Sequence, residues 1–186
     1  MDPEHLGQRR DDATLLAAVA AGEPAAVRVL LDEVAPVVYG FVFARVGGNQ
    51  SVAEDLLQET LLEAVRSAAG YRGEAALSTW MCAIARRRLA RHYERERRAE
   101  AARQGLRLVR DEDEADLGAE LERKDRVVRA LGRLPSQHRQ VLVLKYLDGA
   151  SVEAIASELG RTRVQVQSLL QRAREGLRRE LGDHDA

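Results

Sequence analysis

Only one cysteine, Cys82, stands among the 186 residues, so no internal disulfide can form and a reducing compartment is expected. It lies in an apolar helical stretch and reads as a buried, inert thiol. Aromatic residues make up 4 % of the chain, which leaves the cores to Leu, Val, Ile and Ala. Prolines number four and long alternating apolar–polar runs are lacking, so the reading is an all-α protein rather than a strand-based one. No apolar run approaches the ~20 residues of a membrane span, and no signal peptide is recognised. A cytoplasmic protein without membrane insertion is the expectation. The histidines, His5, His92, His138 and His184, are dispersed without metal-ligand spacing. No phosphate-binding glycine loop, nucleophile elbow or cysteine cluster is present. Catalytic residues, metal and cofactor are therefore all expected to be none, and the chain is not read as an enzyme.

Net charge is also nearly absent, at -1, but its distribution is uneven. Between Arg86 and Arg110 ten Arg face three Glu, a surplus of +7. Between Asp111 and Asp125 eight acidic residues face Arg123 and Lys124, leaving -6. Between Arg161 and Leu181 six Arg face two Glu, leaving +4. Two basic blocks separated by an acidic one are hidden in the near-neutral total.

Two small helical domains are expected, 10–100 and 121–182, joined by a flexible acidic linker, 101–120. In the first, one helix spans about Asp12 to Ala21, and Pro24 opens a second to about Val46 that Pro36 should kink or divide. Ser51, with Glu54 three residues on, reads as a capping box for a third helix to about Ala69. After the loop Gly70–Gly73, Ser78 or Thr79 is expected to cap a fourth helix, with Trp80 directed to the core. In the second domain Pro135 starts a helix to Leu147. Ser151 caps Val152 to Leu159, Gly160 turns the chain, and Thr162 caps the last helix.

The segment Ser151 to Arg178 is a helix-turn-helix pattern. Ile155, Ala156 and Leu159 match Val166, Leu170, Ala173 and Leu177 in a shared core. Arg163, Gln167, Gln171, Arg174 and Arg178 then face outward. Gln pairs bidentately with adenine, and Arg with guanine or phosphate. Residues from Arg161 to Gln167, at the helix start, should approach bases most closely, and later arginines the backbone.

On the residues Leu134-Pro135, Val141 to Gly149 (VLVLKYLDG), Glu153 to Gly160 (EAIASELG), Ala53 to Ala64 (AEDLLQETLLEA) and Ser78 to Arg86 (STWMCAIAR), the chain resembles the bacterial sigma factors of the extracytoplasmic-function class. The resemblance spans about residues 12 to 181. It implies a sigma region-two domain and a sigma region-four helix-turn-helix domain. The implied function is that of an alternative sigma factor, binding core RNA polymerase and directing promoter-specific initiation at minus-10 and minus-35 elements. The partners implied are core RNA polymerase, promoter DNA and an anti-sigma factor.

Polymerase docking falls by resemblance on Asp55, Gln58, Glu59, Leu62 and Arg66. On an ideal helix these share one face, while Leu57, Leu61, Ala64 and Ala68 take the other. A leucine ringed by polar residues suits an interface centre. Minus-10 contacts fall on Tyr71, Arg72 and Ser78, near a pocket for a flipped base, and on Arg86, Arg87, Arg88 and Arg91 along the duplex. Minus-35 contacts fall on Arg161, Arg163, Gln165, Gln167, Ser168, Gln171, Arg172 and Arg174.

One departure concerns the recognition helix. Where the family commonly carries a Gly-Thr-Val-Lys-Ser-Arg-like run, this chain has Val164, Gln165, Val166, Gln167, Ser168 and Leu169. Gln and Leu there suit adenine and a thymine methyl. Either the minus-35 preference is unusual or this surface partly serves a protein. The alternative reading of the whole chain is a dimeric helix-turn-helix regulator that binds a two-fold operator without polymerase.

Overall fold

In this computed structural model, residues 3–103 and 119–182 are described, with side chains from 11 to 102 and from 125 to 182. All regular structure among them is helical. The helices are α1 (Pro3–Ala20), α2 (Pro24–Arg45), α3 (Gln50–Arg66), α4 (Leu77–Arg103), α5 (Ala119–Arg133), α6 (Ser136–Leu142), α7 (Val152–Leu159) and α8 (Arg163–Gly182). The chain is all-α, as expected. Most of the acidic linker, 104–118, lies outside the described residues. Contacts group Met1–Ala44 with Asn49–Arg91 in one compact unit, and Arg45–Gly48 with His92–Ala186 in the other. The C-terminal part of α4 thus belongs to the second unit, whereas the sequence reading assigned it up to residue 100 to the first.

In the first unit, α4 buries Leu77, Met81, Ile84, Ala85 and Leu89 at helical spacing, and Leu16 and Val19 of α1 and Val38 and Val42 of α2 are buried as well. Pro36 does not divide α2. The turn Leu30–Val34 just before it is widened to a π-helix, where the Ala35 N–H donates to the Leu30 carbonyl. The wider turn absorbs the missing proline donor, and helical structure continues to Arg45.

The core stripe of α3 is Ala53, Leu56, Thr60 and Ala64. Leu57 and Leu61, expected inside, are only half-buried. Thr60 takes the place of a leucine in that stripe. Its hydroxyl donates to the Leu56 carbonyl at 2.6 Å, so a polar residue is satisfied at full burial. The cap of α3 is Asn49, whose Oδ1 accepts from the Val52 N–H at 3.0 Å, and Ser51 lies inside the helix. Neither Ser78 nor Thr79 caps α4. The helix starts at Leu77, whose N–H donates to Asp12 Oδ2 of α1 at 2.8 Å.

The second unit is built on Leu131, Leu134, Val141, Leu142, Leu144, Ile155, Ala156, Val166, Leu169, Leu170 and Ala173, with Leu159 and Leu177 at the margin. Ser151 caps α7, its hydroxyl accepting from the Ala154 N–H at 3.1 Å. Gly160 ends α7 at φ 60°, the left-handed region where glycine is favoured. A second close fit involves Gly47 and Gly132. A Cβ on Gly47 would lie 2.3 Å from Gly132 Cα, and one on Gly132 would lie 2.3 Å from the Gly47 carbonyl oxygen.

Around that contact stands a charged network that sequence reasoning did not anticipate. Arg139 is 1 % exposed; it pairs with Glu96 through Nη2, donates to the Gly132 carbonyl at 3.2 Å and lies over the Tyr93 ring. Glu100 caps α6, accepting from the Ser136 N–H at 3.0 Å and its hydroxyl at 2.7 Å. Arg45 meets Asp148 Oδ1 at 2.6 Å, and Tyr93 donates to the Arg45 carbonyl. Burial alone would raise the Glu96 carboxyl. The hydrogen bond from His92 and the charge of Arg139 outweigh it and hold the group at about 2. Burial, the largest influence, pushes the Tyr93 phenol up.

Candidate functional site

The outer face of α3 presents Asp55, Gln58, Leu62 and Arg66 to solvent, with Glu59 half-buried beside them. Leu62 is 51 % exposed although the core stripe of the same helix is complete without it. An uncovered leucine amid polar residues is the arrangement of an interface centre and rim. Glu59 is not free of the rest of the unit. Arg88 of α4 reaches Glu59 Oε2 at 3.4 Å and Glu63 Oε2 at 3.0 Å, tying the polar edge of α3 to the basic block.

That block is ordered in a graded way. Arg86, Arg87 and Arg91 are exposed, and the Arg86 guanidinium lies 5.6 Å from the centre of the Phe41 ring. Arg88 is half-buried in its pairing with α3. Upstream, Tyr71 is anchored: its hydroxyl donates to the Ala75 carbonyl at 2.7 Å and lies 3.4 Å from Asp12 Oδ2. The Tyr71 and Trp80 rings stand 5.2 Å apart, centre to centre, and both are half-buried. Trp80 therefore supports the loop tyrosine instead of filling the core. Arg72 is exposed and Ser78 half-buried. Cys82 is half-buried as well, not fully enclosed as expected, because the buried stripe passes through its neighbour Met81.

The helix-turn-helix is α7, the Gly160 turn and α8. Opposite the buried residues Val166, Leu169, Leu170 and Ala173, α8 exposes Arg163, Val164, Gln165, Gln167, Ser168, Gln171, Arg172, Arg174 and Arg178. Their side chains differ in availability. Gln165 forms a capping box with Thr162: its Oε1 accepts from the Thr162 N–H at 2.9 Å, while Thr162 Oγ1 accepts from the Gln165 N–H at 3.2 Å. Arg161 donates to Gln137 Oε1 at 2.8 Å. Arg163 pairs with Glu153 at 3.0 Å, both largely exposed. The hydrogen bond from its own backbone, and then the charge of Arg163, hold the Glu153 carboxyl below its usual range. Arg172 donates to the Ser168 carbonyl and Gln171 to Glu175. Arg174 donates to the Tyr146 hydroxyl at 2.8 Å and lies over its ring.

Leu169 is buried at 3 % exposure and faces the core, so it is unavailable to a thymine methyl. The helical register decides this, since Val166, Leu169, Leu170 and Ala173 form the inward stripe. Two exposed apolar side chains received no role from the sequence: Tyr146 (60 % exposed), in the π-helical segment Val143–Leu147, and Val164 (73 % exposed), noted only as part of the atypical recognition run. Among the described residues, no group of three or more His, Cys, Asp or Glu side chains is placed to hold a metal ion. No single described helix is long and apolar enough to cross a membrane.

Comparison with known proteins gives two family matches, sigma-70 region 2 over residues 30–99 and sigma-70, region 4 over residues 124–177. The chain is 35 % identical over 174 residues to the ECF RNA polymerase sigma factor SigM of Mycobacterium tuberculosis, covering 93 % of this chain and 86 % of that one. It is 32 % identical over 168 residues to the ECF RNA polymerase sigma factor BldN of Streptomyces coelicolor, covering 88 % of this chain but only 63 % of BldN. It is also 32 % identical over 151 residues to the RNA polymerase sigma factor CarQ of Myxococcus xanthus, covering 80 % of this chain and 85 % of that one.

Proposed function

Because the chain belongs to the extracytoplasmic-function class of the sigma-70 family, we propose that it docks on core RNA polymerase through α3 and directs promoter-specific initiation through α4 and α8. The observation that carries this reading is Leu62. Half-exposed, ringed by Asp55, Gln58 and Arg66 and unneeded by its own core, it is an anchor awaiting a partner. Residues 10–100 act as region two and 121–182 as region four.

In this reading the basic block of α4 neutralises phosphates at the upstream edge of the minus-10 element. Tyr71, Arg72 and Ser78 lie at the loop where a base leaves the stack. With Tyr71 held against Trp80 and Ala75, a preformed wall is offered instead of a mobile plug. On α8, Gln167, Ser168 and Gln171 face base edges, while Arg172 and Arg174 lie toward phosphates. Each DNA surface is small. Joined by a linker, they gain affinity only when polymerase sets their spacing. The chain carries no bond-making chemistry of its own; RNA synthesis belongs to the polymerase. The protein works in the cytoplasm, and an anti-sigma factor would inhibit it by covering these same surfaces.

The test is run-off transcription with core polymerase on genomic promoter fragments, beside an active control factor. Promoter-dependent products that appear only when the chain is added support the reading. Tight binding to a two-fold symmetric operator without polymerase, and no transcript with it, would replace it by the dimeric-regulator alternative.

A further inference from the structure

We infer that Val164 is a specificity-determining residue of the recognition helix, reading the 5-methyl group of a thymine in the major groove. This rests on the proposal that α8 reads duplex DNA. At 73 % exposure, Val164 is the most uncovered large apolar residue among those described. Projected down α8 at 100° per residue, it lies within about 20° of the point opposite Ala173, which is fully buried. The core therefore makes no use of it. Helix propensity offers no reason for it either, since a β-branched residue is a weaker helix former than the Arg and Gln around it.

Its neighbours say what it faces. Gln167, Ser168 and Gln171 follow at i+3, i+4 and i+7, all exposed and uncharged, so over the first two turns of α8 the centre of the outward stripe has no cation for a phosphate; Glu175 and Arg178 join it only beyond them. Arg163 and Arg174 flank this stripe on one side and Arg172 on the other. An uncharged centre between cationic edges is complementary to a groove floor between two phosphate rows. On that floor the thymine methyl is the apolar group that a valine suits. Val164 sits in the first turn of α8, the part of a recognition helix that approaches bases most closely. Leu169, the other apolar candidate in this stretch, points into the core, and Gln165 is held in the helix cap.

The experiment uses holoenzyme reconstituted from core polymerase and the full chain, presented with duplexes randomised over the minus-35 region. Wild type, Val164→Ser and Val164→Thr are compared. Both replacements are at an exposed position, and circular dichroism checks that the helices remain. The expected result is a thymine enriched by wild type at one position, lost in Val164→Ser and kept in part by Val164→Thr, which retains one γ-methyl. Replacing that thymine by deoxyuridine should weaken wild-type binding about fourfold, the factor for one buried methyl-sized group. The same replacement should leave the Val164→Ser complex unchanged. If wild type enriches a motif that Val164→Ser shares in full, or deoxyuridine has no effect, the assignment to Val164 is overturned while the promoter-reading function stands. If wild-type holoenzyme enriches no duplex motif, the function itself fails and this inference with it.

Discussion

Thr162 and Gln165 hold each other across the first turn of α8, each accepting from the other's backbone N–H, at 3.2 and 2.9 Å. The side chain that the sequence offered as a base reader is thereby part of the helix start. Thr162→Ala should cost the local structure about 1 kcal/mol. Hydrogen exchange of the first amides of α8 should accelerate about fivefold, with the α3 amides unaffected. An unchanged rate in α8 would show that the cap is not formed in solution.

Glu96 gives the second prediction. Its folded pKa, about 2, lies below the ordinary 4.5, so the unfolded chain binds the proton more readily in that interval. The resulting stabilisation is complete above about pH 4.5 and is lost as pH falls toward 2. Wild type should therefore exceed Glu96→Gln in denaturant stability near neutrality, and the difference should vanish on acidification. A pH-independent difference would assign the effect to packing instead of charge.

Leu62→Asp should cost folding no more than about 1 kcal/mol, because the side chain is already half in water and its own core does not need it. Affinity for core polymerase should fall about thirtyfold or more, as for the central anchor of an interface. Thermal melting and co-elution with core polymerase read the two effects separately.

Glu175 places a negative charge on the outward side of α8, within reach of Gln171. Opposite a phosphate roughly 7 Å away it costs about 0.6 kcal/mol in water-like surroundings. Glu175→Gln should therefore tighten minus-35 duplex binding by holoenzyme roughly threefold at low salt, and less as salt rises. Equal affinities at all salt concentrations would place Glu175 away from the backbone.

The helix-turn-helix was legible because its signals are local. Ser151, Gly160 and Thr162 each act through hydrogen bonds or backbone angles within a few residues, and the structure keeps all three roles. Asn49 and Ser51 show the limit of such signals. Both residue types cap helices, and the Glu three places after Ser51 favoured the wrong one. Thr60 takes a place in the α3 core that Leu57 and Leu61 were expected to fill, and the bond to its own helix that satisfies it there is not revealed by hydrophobicity alone. The capping of α4 by Asp12 and the burial of Arg139 depend on partners far away in sequence. Among the candidate site residues, α3 and α8 face outward as periodicity required. What the sequence could not tell was which outward side chains are already engaged, as Gln165, Arg88 and Tyr71 are.

The meeting of Gly47 and Gly132 has a genetic corollary. Any single-base change in a glycine codon that inserts another amino acid adds a side-chain carbon, and at 2.3 Å neither backbone has space for one. Neither position has a harmless neighbour in codon space. A population carrying this protein would hold both glycines fixed or give up the contact between them, with no gradual route from one condition to the other.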